Sequence, residues 1–206
     1  MMIIHLNGWP GVGKRTIGAS VASRLGARFI HNHLLHDVAI QCAGFNGAQR
    51  WPLYEKVRAA AYETLALLPL SEIILLTNGL CNDTPREELA WRYVVDLAMR
   101  RRAPLVPVVL EASLFENLRR VQTVERAARQ KLVDPIALEE MTQRGSIQKP
   151  AVPELIVVDV TELTVEEAAS RILQHLERIK TELKPATFAH LQMQSHPLRS
   201  ADSTST

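Results

Sequence analysis

Short unbroken apolar runs alternate along the chain with longer stretches in which apolar residues recur every three or four positions. The runs occupy residues 2–6, 72–77, 105–110 and 155–158, and a weaker one covers 27–31. Runs of this length predict strands buried on both faces, as parallel strands are. The stretches between them predict helices. Ile17, Val21 and Leu25 share one face of the first, which Gly26 stops; Leu34, Leu35, Val38, Ala39 and Cys42 lead up to Gly44. Leu53, Val57, Ala61, Leu65 and Leu68 follow Pro52, which suits a first helical position, and end before Pro69. Three capping boxes, Thr84-Pro85-Arg86-Glu87, Ser113-Leu114-Phe115-Glu116 and Thr164-Val165-Glu166-Glu167, start further helices. In each, a hydroxyl and a carboxylate satisfy first-turn N–H groups reciprocally. Asp134-Pro135 starts another helix that reaches Arg144-Gly145, and Val165, Ala169, Ile172, Leu176, Ile179 and Leu183 line one face of the last. Pro107 demotes its strand toward an edge or a bulge.

Five strands alternating with helices predict a three-layer α/β architecture. A central five-stranded parallel sheet has right-handed crossovers, helices on both faces and a ligand at the carboxyl ends of its strands. Residues 1–183 read as one domain. From 184 onward the periodicity fails, so 184–206 read as a disordered tail.

The stretch with the most chemistry is Gly8-Trp9-Pro10-Gly11-Val12-Gly13-Lys14-Arg15-Thr16, directly after the first strand and opening the first helix. Glycines at 8, 11 and 13 let the backbone take conformations that bring N–H groups up to phosphate oxygens, and Lys14 adds a mobile positive charge. The helix behind the loop aims its N-terminus at the same anion. The nucleotide-binding set is therefore Gly8, Gly11, Val12, Gly13, Lys14, Arg15 and Thr16. Arg15 stands where the Walker A motif has a Ser or Thr for Mg²⁺, and Thr16 comes one residue late, which puts metal ligation by the loop in doubt.

Composition narrows the classes. The 206 residues are 47% hydrophobic, enough to bury one core, and the formal net charge of +2 is too balanced for general attraction to nucleic acid or membrane. Cys42 and Cys81 form no C-x-x-C pair, no apolar run approaches a membrane span, and the apolar start is too short for a signal peptide. The expectation is a cytoplasmic protein, monomer or homodimer, with a small-molecule partner and neither nucleic acid nor membrane.

The basic cluster lies in Arg119, Arg120, Arg126, Arg129 and Lys131. Bracketed by two helices, residues 122–134 are placed as a mobile lid whose Arg126 and Arg129 would close over the phosphates and expel water. Arg58 is read as a surface arginine, with an acceptor-anion role as the alternative. His31, His33, His36 and Asp37 have spacings seen in transition-metal sites, yet nothing else completes a zinc set, so no metal ligand is assigned there and Thr16 is the magnesium candidate. Trp9 and Trp51 are placed either to stack on a base or to pack.

With these segments in place, the chain resembles the P-loop small-molecule kinases, and is most similar to the shikimate and gluconate kinase-like group over about residues 2–180. The group's G-K-S-T-I-G, followed by L-G, F and D-x-D, is matched without a gap by Gly13-Lys14-Arg15-Thr16-Ile17-Gly18, Leu25-Gly26, Phe29 and His31-Asn32-His33. The resemblance implies a P-loop kinase-like fold, ATP with Mg²⁺, and transfer to an alcohol acceptor. It implies catalytic roles for Lys14, Arg126 and Arg129, and acceptor contacts from Asn32, His33, Asn78 and Arg144. His33, at the group's acceptor-side carboxylate, is the candidate base; the alternatives are Asp37, one turn on, supplying the carboxylate instead, or His33 only orienting the substrate. His31 and His33 stand where the group has carboxylates, and Thr77-Asn78-Gly79 keeps one glycine of a glycine-rich acceptor turn, so shikimate itself is not the expected substrate. The expected activity is an ATP-dependent kinase of a small hydroxylated or nucleotide-like metabolite, an antibiotic-modifying phosphotransferase being one form of it. The alternative is a nucleotide-binding pseudokinase or NTP sensor.

Overall fold

Residues 1–82, 84–123 and 132–182 are described by the structure, a computed structural model of the chain. In chain order the strands are β1 (Ile3–Asn7), β2 (Arg28–His31), β3 (Ile74–Thr77), β4 (Leu105–Glu111) and β5 (Ile156–Asp159). The helices are α1 (Lys14–Leu25), α2 (Asn32–Ala43), α3 (Arg50–Ala66), α4 (Pro85–Arg101), α5 (Leu114–Val121), α6 (Pro135–Arg144) and α7 (Val165–Glu182). All strand pairs are parallel, in the order β2-β3-β1-β4-β5. This is the expected three-layer α/β arrangement. Because β1 leads to β2 on one side of itself while β3 crosses back to β4 on the other, a crevice opens at the carboxyl end of β1, where ligands of such sheets bind.

Strand β1 shows why both faces are covered. Successive side chains point to opposite faces, so Met2, Ile4 and Leu6 enter one core with Ile17 and Val21 of α1 and Ala169, Ile172 and Leu176 of α7. Ile3 enters the other, with Tyr54 and Tyr62 of α3 and Trp91, Val94 and Leu97 of α4. Each fully buried Ile, Leu or Val contributes about 1.5–3 kcal/mol by leaving water. The polar residues on the Ile3 side, His5 and Asn7, are buried too.

The hydroxyl arm of each capping box forms as expected. Thr84 Oγ1 accepts from Glu87 N at 3.3 Å, Ser113 Oγ from Glu116 N at 3.2 Å, and Thr164 Oγ1 from Glu167 N at 3.2 Å. The carboxylate arm reaches the N-cap N–H at Thr164, whose N donates to Glu167 Oε2 at 2.8 Å; Ser113 N donates instead to Thr161 Oγ1, and Glu87 Oε2 accepts from the Thr84 hydroxyl. Other details differ from the sequence reading. Pro107 lies in an interior strand rather than at an edge, because the ladder from β4 to β5 begins only at Val108 opposite Ile156, leaving Pro107 with a strand neighbour on one side. In α2 the buried face is Leu35, Ala39 and Ile40, while Leu34 and Val38 are 46% and 45% exposed and Cys42 is exposed. Packing of Leu35 and Ala39 beside Tyr54 of α3 selects that stripe. Helix α3 starts at Arg50, two residues before Pro52, which still falls in the first turn where no N–H is needed. Leu183 and the tail 184–206 lie outside the described residues.

Candidate functional site

The loop between β1 and α1 takes the conformation its glycines allow. Gly8, Gly11 and Gly13 have φ of 149°, 98° and 91°. A side chain at Gly8 would place Cβ 2.4 Å from Leu110 O, and one at Gly11 would stand 3.1 Å from Asn117 O, so the loop is seated on the end of β4 and on α5. Gly13 is the N-cap of α1 and supplies no side-chain acceptor, and the first turn of α1 carries no acidic residue. In the helices with capping boxes the N-cap hydroxyl occupies one first-turn N–H, whereas α1 has no such side-chain acceptor and leaves its first turn for an anion. Val12 is fully buried and its N–H donates to Trp9 O at 3.4 Å, so it anchors the loop from within. Lys14 Nζ donates to Gly8 O at 2.5 Å and Trp9 O at 2.8 Å, which holds the ammonium over the loop. Arg15 is half-buried and Thr16 exposed.

A second group of residues gathers beyond the end of β2. Asn32 opens α2: its N–H donates to Thr77 Oγ1 at 3.2 Å, and its Oδ1 accepts from Tyr54 Oη at 2.6 Å. One turn along, His33 Nδ1 and Asp37 Oδ1 are 4.0 Å apart, both partly open to solvent. His36 stacks on Tyr54, with ring centroids 4.0 Å apart and planes at 9°, and meets Trp51 edge-on at 5.5 Å. Burial, with the nearby charges of His33, Arg50, Arg58 and Arg86, pushes His36 down to about 3, so it is neutral at neutral pH. Arg86 lies 3.8 Å over the Trp51 ring, and Arg50 caps both Trp51 and Phe45. Trp51 therefore packs between guanidiniums. Trp9 packs against the cores flanking β4.

Arg58 corrects the sequence reading. It is 1% exposed, not a surface residue, paired with Glu55 and lying against the rings of Tyr54 and Tyr93. Four residues after Tyr54 and four before Tyr62, it lies on the buried face of α3, and Tyr93 of α4 packs on it.

The turn after β3 completes the crevice. Asn78 N donates to Leu6 O at 3.0 Å, and a Cβ on Gly79 would be 4.0 Å from Lys14 Nζ, so this turn stands beside the phosphate-loop lysine. Thr77-Asn78-Gly79, Lys14 and the start of α2 are thus brought to one place. Arg144, at the end of α6, is exposed and paired with Glu140, while the segment that follows it runs against Leu80 and Asn82. Of the basic cluster, Arg119 and Arg120 bind Glu116, and Arg120 also donates to Val160 O and Thr161 O beyond β5. Both arginines hold Glu116 down to about 2. Arg126 and Arg129 lie outside the described residues. Among the described residues no group of three or more His, Cys, Asp or Glu is placed to hold a metal ion, and no helix is long and apolar enough to cross a membrane.

Sequence reasoning gave no role to His5, whose signal was a polar residue inside an apolar strand, and read His36 only for its metal-like spacing, not for its stacking on Tyr54, which lies on another helix.

No protein-family model matches the sequence, and no curated protein matches it. Solved structures do. A protein of Chloroflexus aurantiacus described as a candidate kinase is similar at TM-score 0.66 and 18% identity, over 84% of this chain and 97% of that one. A gluconokinase from Sinorhizobium meliloti is similar at TM-score 0.59 and 21% identity, over 95% and 98%. The Mycobacterium tuberculosis APS kinase, solved with AMPPNP and APS, is similar at TM-score 0.56 and 18% identity, over 85% and 97%. The chain has the P-loop kinase-like fold.

Proposed function

We propose that the protein is an ATP-dependent phosphotransferase of the cytoplasm, acting on a small hydroxylated or nucleotide-like metabolite. The observation that carries this reading is the placement of Lys14, at the uncapped start of α1, beside the Asn78-Gly79 turn and the start of α2 on a kinase-like sheet. Lys14 and the loop N–H groups would bind the β- and γ-phosphates, since phosphoryl transfer is catalysed mainly by positioning and by charge on the equatorial oxygens. The guanidiniums of Arg50 and Arg86, which lie over the Trp51 ring near His36, favour an acceptor that carries an anionic group.

In the reaction the acceptor oxygen attacks the γ-phosphorus, the bond to the β-bridging oxygen breaks, and ADP leaves. His33 would take the acceptor's proton, with Asp37 supporting the imidazolium; Asp37 as the base itself is the other assignment. Asn32, Asn78 and Arg144 would orient the acceptor. On the family resemblance, Arg126 and Arg129 would cover the transferring phosphoryl group.

The donor set suits a magnesium ion held mostly by phosphate oxygens and water: Thr16 is the exposed hydroxyl of the first turn, and Arg15 offers no lone pair. Bound there, Mg²⁺ would neutralise charge on the phosphates. The second reading, a nucleotide sensor without transfer, is favoured by Arg15 and His31 both standing on the metal side.

The deciding experiment measures ADP release against a panel of hydroxylated and nucleotide metabolites, with Lys14→Ala as control. Release that depends on one acceptor and falls ~10²-fold or more in a folded Lys14→Ala variant supports the kinase. Tight ATP binding with no release across the panel supports the sensor, and wild-type turnover in Lys14→Ala overturns the phosphate-loop assignment.

A further inference from the structure

Strand β1 carries two buried polar residues on its α4 side, His5 and Asn7, 2% and 3% exposed. Polar groups in a sheet centre cost free energy unless each is hydrogen-bonded, and both are bonded to the same turn. Asn7 Oδ1 accepts from Leu80 N at 2.7 Å, and its Nδ2 donates to Leu80 O at 3.0 Å and Gln148 O at 3.1 Å. His5 Nε2 lies 3.0 Å from Asn78 Oδ1. The turn is therefore tied to β1 at both ends, and Gly79 between them is the residue beside Lys14. The His5 ring is set by its surroundings: Trp91 stands 5.4 Å away, and Leu76 and Pro107 are its register partners on β3 and β4.

We propose that His5 is a positioning residue for the acceptor turn: Nε2–H donates to Oδ1 of Asn78, itself 3% exposed, which locks the amide so that the NH₂ group, a hydrogen-bond donor, is what remains for an oxygen of an acceptor seated on the turn. The proposal rests on the kinase reading for the role of Asn78, but the lock itself does not. Desolvation and the nearby Lys14 charge push His5 down to about 4, so at neutral pH the ring holds a single proton. That proton decides the turn's chemistry. With it on Nε2, the amide must present oxygen to the ring and nitrogen outward; with it on Nδ1, Nε2 could only accept, the amide would be reversed, and an oxygen would face the ligand. The first arrangement recognises acceptor oxygens that carry lone pairs, such as a carboxylate or carbonyl, and the second would select hydroxyl and amine donors. A glycine-rich turn makes no such selection, so this device belongs to the residues of this chain.

The test has two independent parts. Ring ¹⁵N chemical shifts of His5 in the intact protein at neutral pH report the tautomer without any turnover. A protonated Nε2 is the expected result, and a protonated Nδ1 overturns the proposal whether or not the kinase reading stands. With the acceptor found by ADP release, His5→Phe is expected to raise acceptor KM about tenfold while kcat and ATP affinity stay within twofold, matching the loss of one oriented hydrogen bond. His5→Gln, whose side-chain N–H can reach a similar point, is expected to restore KM to within about threefold. Unchanged KM in a folded His5→Phe, or an equal fall in kcat and ATP affinity, overturns it. If His5→Phe does not fold, the wild-type shifts and His5→Gln decide. Absence of any acceptor-dependent ADP release counts against the kinase reading alone, since the shifts remain decisive for the lock.

Discussion

Two histidines that look alike in sequence differ in what their surroundings let them do. His33 is partly exposed with Asp37 4.0 Å away, whereas His36, three residues on, is held neutral against Tyr54. The acid limb of the pH–rate profile separates the candidates for the base. If His33 is the base, rate falls as pH drops through the histidine range, and this limb disappears in His33→Gln but persists in Asp37→Asn. A limb unchanged in His33→Gln removes His33 from the mechanism. His5 and His36 also make stability depend on pH. Both have folded values below the ordinary histidine value of 6.5, about 4 and about 3. Below pH 6.5 these two residues take up protons in the unfolded chain that the folded chain refuses, so their contribution to stability is constant above that pH and falls as pH drops toward 4. His5 alone accounts for ~3 kcal/mol over that window. Urea unfolding at pH 7 and pH 4.5 checks this, and His36→Phe, which keeps the ring on Tyr54, is expected to flatten part of the slope.

At the scale of elements, α1 is set by two glycines with different reasons. Gly13 is required by its φ of 91°, whereas Gly18 is required by closeness: a Cβ there would lie 2.9 Å from Cε2 and Cζ of Phe29 on β2. Alanine at an inner helical position gains up to ~1 kcal/mol in propensity, while overpacking costs ~1–3 kcal/mol. Gly18→Ala is therefore expected to lower stability by about 1 kcal/mol net, and in a Phe29→Leu background the same substitution is expected to become neutral or stabilising. Thermal unfolding of the four proteins of that cycle tests whether contact with Phe29 is the cause. The apolar periodicity of α1 was readable from Ile17 and Val21, but the pressure of β2 on Gly18 was not, because Phe29 belongs to another element.

On the scale of the whole molecule, one buried charge joins the layers. Arg101, 1% exposed at the end of α4, donates to Leu65 O, Leu68 O, Pro69 O and Glu72 O at 2.8, 2.9, 2.8 and 3.3 Å. Leu65 O and Pro69 O also accept turn N–H groups from Leu68 and Glu72 at 3.4 and 3.0 Å, and the guanidinium adds a donor to each and to Leu68 O and Glu72 O. Arg101→Leu removes this donor from all four carbonyls, two of which keep a turn N–H, and is expected to cost ~1–3 kcal/mol, read as a lower urea midpoint. Arg101→Lys is expected to recover only part of it, because an ammonium lacks the planar fork that reaches four oxygens.

The features the sequence determined by itself are local ones. Glycines at 8, 11 and 13, the three capping boxes and the apolar runs act within a few residues, so the phosphate loop, the helix starts and the alternation of strand and helix could all be read before any contact was known. Tertiary structure alone decided the strand order, the buried stripe of α2, the interior place of Pro107 and the fate of the buried polar residues. His5 meets Asn78 across 73 residues, Asn7 meets Gln148 across 141, and Arg101 meets the end of α3 across 36. A polar side chain is stable inside a core only where a partner is delivered to it, and that delivery depends on the packing of layers, which no local pattern encodes.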